Sequence, residues 1–421
     1  MRRNALIEEI VDKVAGGDLI RDFAAICDTG GRFAGSDSER VAREYLSERL
    51  EQATGTAPTH APVDYLGWSR GDAVLERLDG AGAPLPCVSL IRSPATPAGG
   101  VVAELIDIGR GAEPDFAARA SEIEGRVVLV RHEYMFATDT IHRRRKYQWA
   151  MDHGAVGFLI ACHLPGAGPV TGSSGATPDR GIPAAGISAE AAAALTAGGP
   201  AKIRLLIETA EAPRKTANLI LDLPGAGPEW VVLSAHIDGH HLAESAIDNA
   251  TGLAAVLAVA AAMAPNMGRL PRGLRIALFT VEEWALAGSK IYVDGLSDAE
   301  RSAIKLNLNL DSIAGSPNLT ALTSDFPKLE DWLLARARAH RHGLGAHRPI
   351  MANSDHFNFA HQGIPAVRLV AGFNETESAI KYVLTPGDTR DKVIADDLRR
   401  AASLTAALVV DACQADELEL G

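Results

Sequence analysis

Apolar residues recur along this chain with two different periods, and the switches between them mark out three stretches. Residues 1–60 carry helical spacing in ALIEEIVDKVAG, LIRDFAAICDTG and SDSERVAREYLSERLEQAT, with Gly30, Gly31, Gly35 and Ser36 separating the second run from the third. Ser36 to Glu39 fits a capping box ahead of the third run. From about Ala61 to Ile207 the texture turns to Gly, Pro and short β-type runs such as VVAELIDIG, GRVVLVRHEY, GFLIACH and AKIRLLIE. One helix interrupts them at RRRKYQWAMDHGA, ending at Gly154. From Ala217 short apolar runs (NLILDL, VVLSAHID, LRIALFT, AIKLNLNLD, IPAVRLV) alternate with helical ones, among them the Ala/Leu run after Gly252, a run near 286–295, LEDWLLARARAHRHG and DDLRRAASLTAALVVDACQ. Strands alternating with helices imply right-handed crossovers. The expected fold is therefore α/β, with a mixed, largely parallel sheet flanked by helices and a β-rich region at 61–207. That region has no Asp/His/Glu cluster at ligand spacing and reads as a scaffold or lid.

Composition narrows the partners. The chain has 421 residues, 47% hydrophobic and 22% charged, enough for two or three domains with a large core. A net charge of −12 argues against nucleic acid or an anionic membrane surface. Leu253 to Ala264, the richest apolar run, falls short of the roughly 18 residues of a membrane span. Glu8, Glu9 and Asp12 interrupt the N-terminal stretch where a secretory leader needs an apolar core. Cys27, Cys87, Cys162 and Cys413 have neither metal nor disulfide spacing and read as buried free thiols of a reducing compartment. The expected location is cytoplasmic. Oligomeric state is not readable.

Candidate chemistry sits at the strand ends, where open α/β sheets bind ligands. VVLSA runs into His236 and Asp238, LRIALFT into Glu282 and Glu283, and IKLNLNL into Asp311; Asp248 opens the Ala/Leu helix. Alone, Asp248 reads as a helix cap and His236 as a structural histidine. Together, five carboxylates and an imidazole on one edge would repel strongly without cations. Such a donor set suits Zn²⁺, with Mn²⁺ or Co²⁺ as alternatives. Of two adjacent glutamates, one can ligate metal while the other acts as general base on an activated water.

The segments AHID…AIDNATG, FTVEEWALAGS, LNLDSIAG, SDHFNFAHQGIPAV and TPGDTRDKV resemble the co-catalytic zinc exopeptidases that include bacterial leucyl aminopeptidases and glutamate carboxypeptidase. GRVVLVRHEY, HGAVGFLIA and GIPAAGIS look like the protease-associated domain that many members carry as an insertion. The resemblance implies a catalytic domain from 1–60 and 208–421 and an inserted domain at 61–207. It implies that His236 and Asp311 ligate one zinc, Asp248 bridges two, Glu283 holds the second, and Glu282 is the general base. Asp238 becomes the carboxylate that orients His236, and Asp248–Asn249 a candidate cis peptide.

One position departs from the family. Leu384 stands where the family's last histidine ligand is expected, and no histidine follows His361. Either His240, His241 or His356 substitutes, or one metal suffices, or peptidase activity is lost. Retention of Glu282 favours an active metal-dependent hydrolase of small peptides, an aminopeptidase first, with an amidase or deacylase acting on N-acyl or amide substrates next and a silent binding protein as the rival. Ser354-Asp355-His356 reads equally as a helix cap or as a substrate-side segment. The basic run Arg143-Arg144-Arg145-Lys146 reads as a solvated helix start, with an anionic-substrate role as the alternative. RARAHRHG reads as a solvated helix end.

Overall fold

The computed structural model describes residues 2–79 and 83–421, so 80–82 of the β-rich region lie outside the described residues. Three parallel strands, Trp230–His236, Gly273–Phe279 and Ile304–Leu310, form the centre of a mixed sheet. Nearly every residue of theirs is buried, which is why they read as continuous apolar runs. Ala366–Ala371 adds in parallel beyond Ile304–Leu310, while Leu319–Leu322 and the terminal part of Lys202–Leu223 close the two flanks antiparallel.

The Ala/Leu helix Thr251–Met263 packs behind this sheet beneath Arg2–Gly16, Leu19–Asp28, Asp37–Thr54 and Ala395–Gln414. Small side chains on all its faces let four helices and a sheet approach it closely. Counted with its flanking turns, and across a kink at Asp248 and Asn249, the helical stretch extends from Ala246 to Arg269, longer than the Leu253–Ala264 pattern indicated and apolar enough to cross a membrane. Its most apolar window is 94% buried inside the protein, so it is the core helix of this domain.

The β-rich region has its own parallel core, Val101–Asp107, Val127–Arg131, Gly157–Ala161 and Ala184–Ile187. Two long antiparallel strands, Thr59–Arg77 and Lys202–Leu223, tie it to the main sheet. The second pairs with Val101–Glu104 near its start and with Gly273–Phe279 through its Leu219–Leu223 end, so the expected limits at 61 and 207 fall inside continuous strands. The helix expected to end at Gly154 is present as Arg143–Asp152. Ser36 caps the third N-terminal helix through Glu39 N–H, but the Glu39 carboxylate turns instead to Arg43, Thr216 and Thr280. Cys27, Cys162 and Cys413 are buried free thiols, and Cys87 is half-buried.

Candidate active site

Parallel register carries the strand-end residues to one level. Asn309 pairs with Ser234, so two residues further on Asp311 stands level with His236. His236 pairs with Phe279, three residues before Glu282. Ligand atoms of His236, Glu282 and Asp311 all lie within 4.8 Å of one another. Asp248 joins them, its Oδ1 2.9 Å from His236 Nε2. Glu283 lines the same cavity of about 100 Å³ with Asp248, Glu282 and Asp311.

Local backbone explains these positions. After Phe279 the chain turns, and Val281 takes φ 58, a left-handed conformation unusual for a β-branched residue. That turn aims two successive N–H groups, of Glu282 and Glu283, at the Asp238 carboxylate (3.0 and 3.2 Å). Asp238 therefore does not orient His236 as expected. His236 Nδ1 donates to the Asp238 main-chain oxygen at 2.9 Å, whereas the carboxylate, committed to the glutamate N–H groups, is 4.0 Å away. With Nδ1 holding its proton, Nε2 is the nitrogen left to give its lone pair to a cation.

Asp248 is not the cap of the Ala/Leu helix. Asn249 takes that work, accepting from Gly252 N–H and donating to Leu310 O, and the Asp248–Asn249 peptide is cis. Asp388, within the TPGD run, accepts from Ile247 and Asp248 N–H and pins the segment from behind. Arg32 was missed by the sequence reading. Fully buried, it donates to the carbonyls of Gly30, Ile237, Glu244 and Ser245, tying both ends of the 237–248 loop together.

The electrostatics match a cation site. His236 Nε2, Asp248 Oδ1 and Glu283 Oε1 are buried without a hydrogen-bond partner; the close His236–Asp248 approach lacks hydrogen-bonding geometry. Burial lowers the His236 pKa, yet the charges of Glu282, Asp248 and Asp311 outweigh it and drive it well up. Glu282 is pushed well up, first by burial. Asp311 goes the other way: burial raises it, but Arg368 and His236 hold it well below the usual range. Arg368 Nη2 is 3.1 Å from Asp311 Oδ1. A nitrogen and two carboxylate oxygens, orphaned and buried, are what a divalent cation satisfies.

Burial also raises Asp238 to about 6, Asp355 to about 7, and Glu283 and Asp388 to about 8. Each keeps its proton in the folded, metal-free chain at pH values where the unfolded chain has lost it. The stability this gives is complete below about pH 4 and disappears as pH rises through 6 to 8. Up to about pH 6.5 the buried histidines held low, His132, His142, His240 and His356, offset this loss, so calorimetry in chelator is expected to show the melting temperature falling by roughly 5 °C between pH 6.5 and pH 8, and zinc to reduce that fall by binding the deprotonated carboxylates. A metal-free melting temperature that rises over this range contradicts these assignments.

Leu384 is at the site, lining the cavity with Asp248 and Glu283. His240, His241 and His356 do not line it. His240 is buried near Asp388, with Nε2 at 3.9 Å from it. His241 stacks on Phe33 in a separate cavity. His356 is buried behind the cluster, where Ser354 accepts from Asn309 Nδ2 and Asp355 is buried. Ser354, Asp355 and His356 do not line the cavity.

The basic run departs from expectation. Arg143 and Lys146 are buried, and His142, Arg143 and Arg144 line the cavity with the carboxylates. Only Arg145 stays solvated, over the Trp149 ring. RARAHRHG behaves as expected, with Arg336 and Arg338 exposed in the last helical turn.

Residues 218–409, which hold every one of these strand ends, match peptidase family M28. Residues 95–195 match the PA domain. The M28 match covers just under half of the chain. The chain aligns at 28% identity over 314 residues with leucine aminopeptidase 2 of Trichophyton equinum, covering 74% of this chain and 60% of that protein. The chain thus spans about three-fifths of that relative's length. Aminopeptidase YwaD of Bacillus subtilis matches at 26% over 395 residues, covering 92% and 82%. The structure of BSAP, a zinc aminopeptidase from Bacillus subtilis, superimposes with TM-score 0.73 at 23% identity over 98% of this chain and 97% of that one. The overall fold is shared with that structure.

Proposed function

We propose that this protein is a member of peptidase family M28 and a zinc-dependent aminopeptidase of short peptides. The observation that carries the reading is Glu282, a buried carboxylate within 4.8 Å of His236 and Asp311 ligand atoms. His236, Asp248 and Asp311 would hold one zinc. Glu283 is the candidate for a second ion, which Leu384 leaves without its imidazole, so one tightly held zinc per chain is the expectation. Bound zinc supplies Lewis acidity towards water and the scissile carbonyl.

The protein's own groups supply the rest. Glu282, with its pKa raised, is a base strong enough to take the proton of the attacking water and a suitable acid to return it to the departing amine. Asp238 fixes the backbone of both glutamates, and Asp388 fixes that of Asp248. A cavity of only about 100 Å³ suits a chain end better than the middle of a polypeptide, which favours an exopeptidase. The named relatives add weight, since those proteins are aminopeptidases. Leu384 gives the deacylase reading its one specific support.

Substrate pairs separate the two. Aminoacyl-anilides are expected to be hydrolysed, with activity abolished by chelation and restored by zinc. Turnover of N-acyl amino acids but not of the anilides would make the protein a deacylase. Zinc binding without either activity would make it a binding protein.

A further inference from the structure

The wall opposite the carboxylates comes from the inserted domain. His142, Arg143 and Arg144 stand at the start of the Arg143–Asp152 helix and line the cavity with Asp248, Glu282 and Glu283. His142 is not the missing metal ligand. Its Nδ1 accepts the Arg144 N–H at 3.2 Å, so in the neutral ring the proton sits on Nε2. Burial and the neighbouring arginines hold its pKa well down, keeping it neutral. His142 therefore offers the cavity a donor and no lone pair.

Arg143 is held in place: Nε donates to Ser173 O at 2.8 Å and Nη1 to Met135 Sδ at 3.4 Å. Gly172 makes room for it, with φ 109 and a Cβ position only 2.3 Å from the guanidinium carbon. The Arg144 side chain makes no hydrogen bond or ion pair among the described residues, and its Nε is buried and unpartnered. Arg368 across the cavity is already engaged by Asp311 and by Asn353 O. Four carboxylates line the cavity against three guanidiniums, so a single divalent cation leaves it net positive. Buried donors with no acceptor, in a net positive pocket, call for an anion of matching planarity.

We propose that His142, Arg143 and Arg144 form a carboxylate-recognition subsite, donated by the inserted domain, which selects peptides bearing a free carboxylate within one residue of the scissile bond. The inference rests on the peptidase reading of the same cavity. Two sources share this chemistry: the α-carboxylate of a dipeptide and an acidic N-terminal side chain.

The test uses zinc-loaded full-length protein. Dipeptides are compared with their C-terminal amides, and glutamyl-anilide with glutaminyl-anilide. One pair is expected to favour the carboxylate member by about ten- to a hundredfold in kcat/KM, expressed mainly in KM. Arg144→Gln is expected to bring that ratio near one and Arg144→Lys to recover part of it. Ratios near one in the wild type, or a ratio unchanged in Arg144→Gln, overturn the subsite. Calorimetric titration of zinc-loaded Glu282→Gln with a reduced-amide dipeptide and its C-terminal amide separates this inference from the reading beneath it. Tighter binding of the carboxylate form without turnover by the wild type keeps the subsite and fails the peptidase reading. Turnover with equal binding does the reverse.

Discussion

Glu282→Gln is expected to lower kcat by about 10²–10⁴-fold while zinc stays bound. Glutamine keeps the size of the side chain and the backbone N–H that meets Asp238, but it cannot accept a proton at neutral pH. The variant separates two roles, since Glu282 lies close enough to His236 and Asp311 to be a ligand as well as a base. If it is the base, metal content is unchanged and catalysis collapses. If it ligates, zinc is lost along with activity. Glu283→Gln provides the contrast, because its unpartnered Oε1 faces the cavity as a ligand would.

Arg32→Met is expected to destabilise the fold by about 3 kcal/mol or more. Methionine fills much of the volume but strands four carbonyls, those of Gly30, Ile237, Glu244 and Ser245, that the guanidinium now satisfies. Two of the four flank the metal segments, so zinc affinity is expected to fall with stability. Denaturant unfolding in chelator and in zinc measures both effects. A variant as stable as the wild type would show that these carbonyls find other partners and that Arg32 does not organise the loop.

The meeting of the strand-end residues was legible because parallel strands carry their ends to one edge. Once VVLSA, LRIALFT and IKLNLNL are read as neighbouring strands, His236, Glu282 and Asp311 must meet. What the pattern hides is everything set by contacts far along the chain. Arg32 reads as a surface residue beside two glycines, and its partners lie some two hundred residues away. Asp388 was visible only as part of a motif, and its use as an acceptor for the Asp248 backbone required the fold. Asp238 lies beside His236, but its carbonyl rather than its carboxylate takes the Nδ1 proton, because the turn at Val281 presents two N–H groups to the carboxylate. The run at 143–146 was the hardest to read. A basic helix start is normally solvated, and only the docking of the inserted domain and the space left by Gly172 bury Arg143 and carry Arg144 to the cavity wall.

Metal content, read together with an anomalous-scattering map at the zinc edge, tests the central claim most directly. Purified protein equilibrated with zinc is expected to hold at least one ion per chain, with the peak within ligand distance of His236 Nε2, Asp248 and Asp311. A zinc-equilibrated crystal with no peak there, and the guanidinium of Arg143 or Arg368 in its place, would contradict the account.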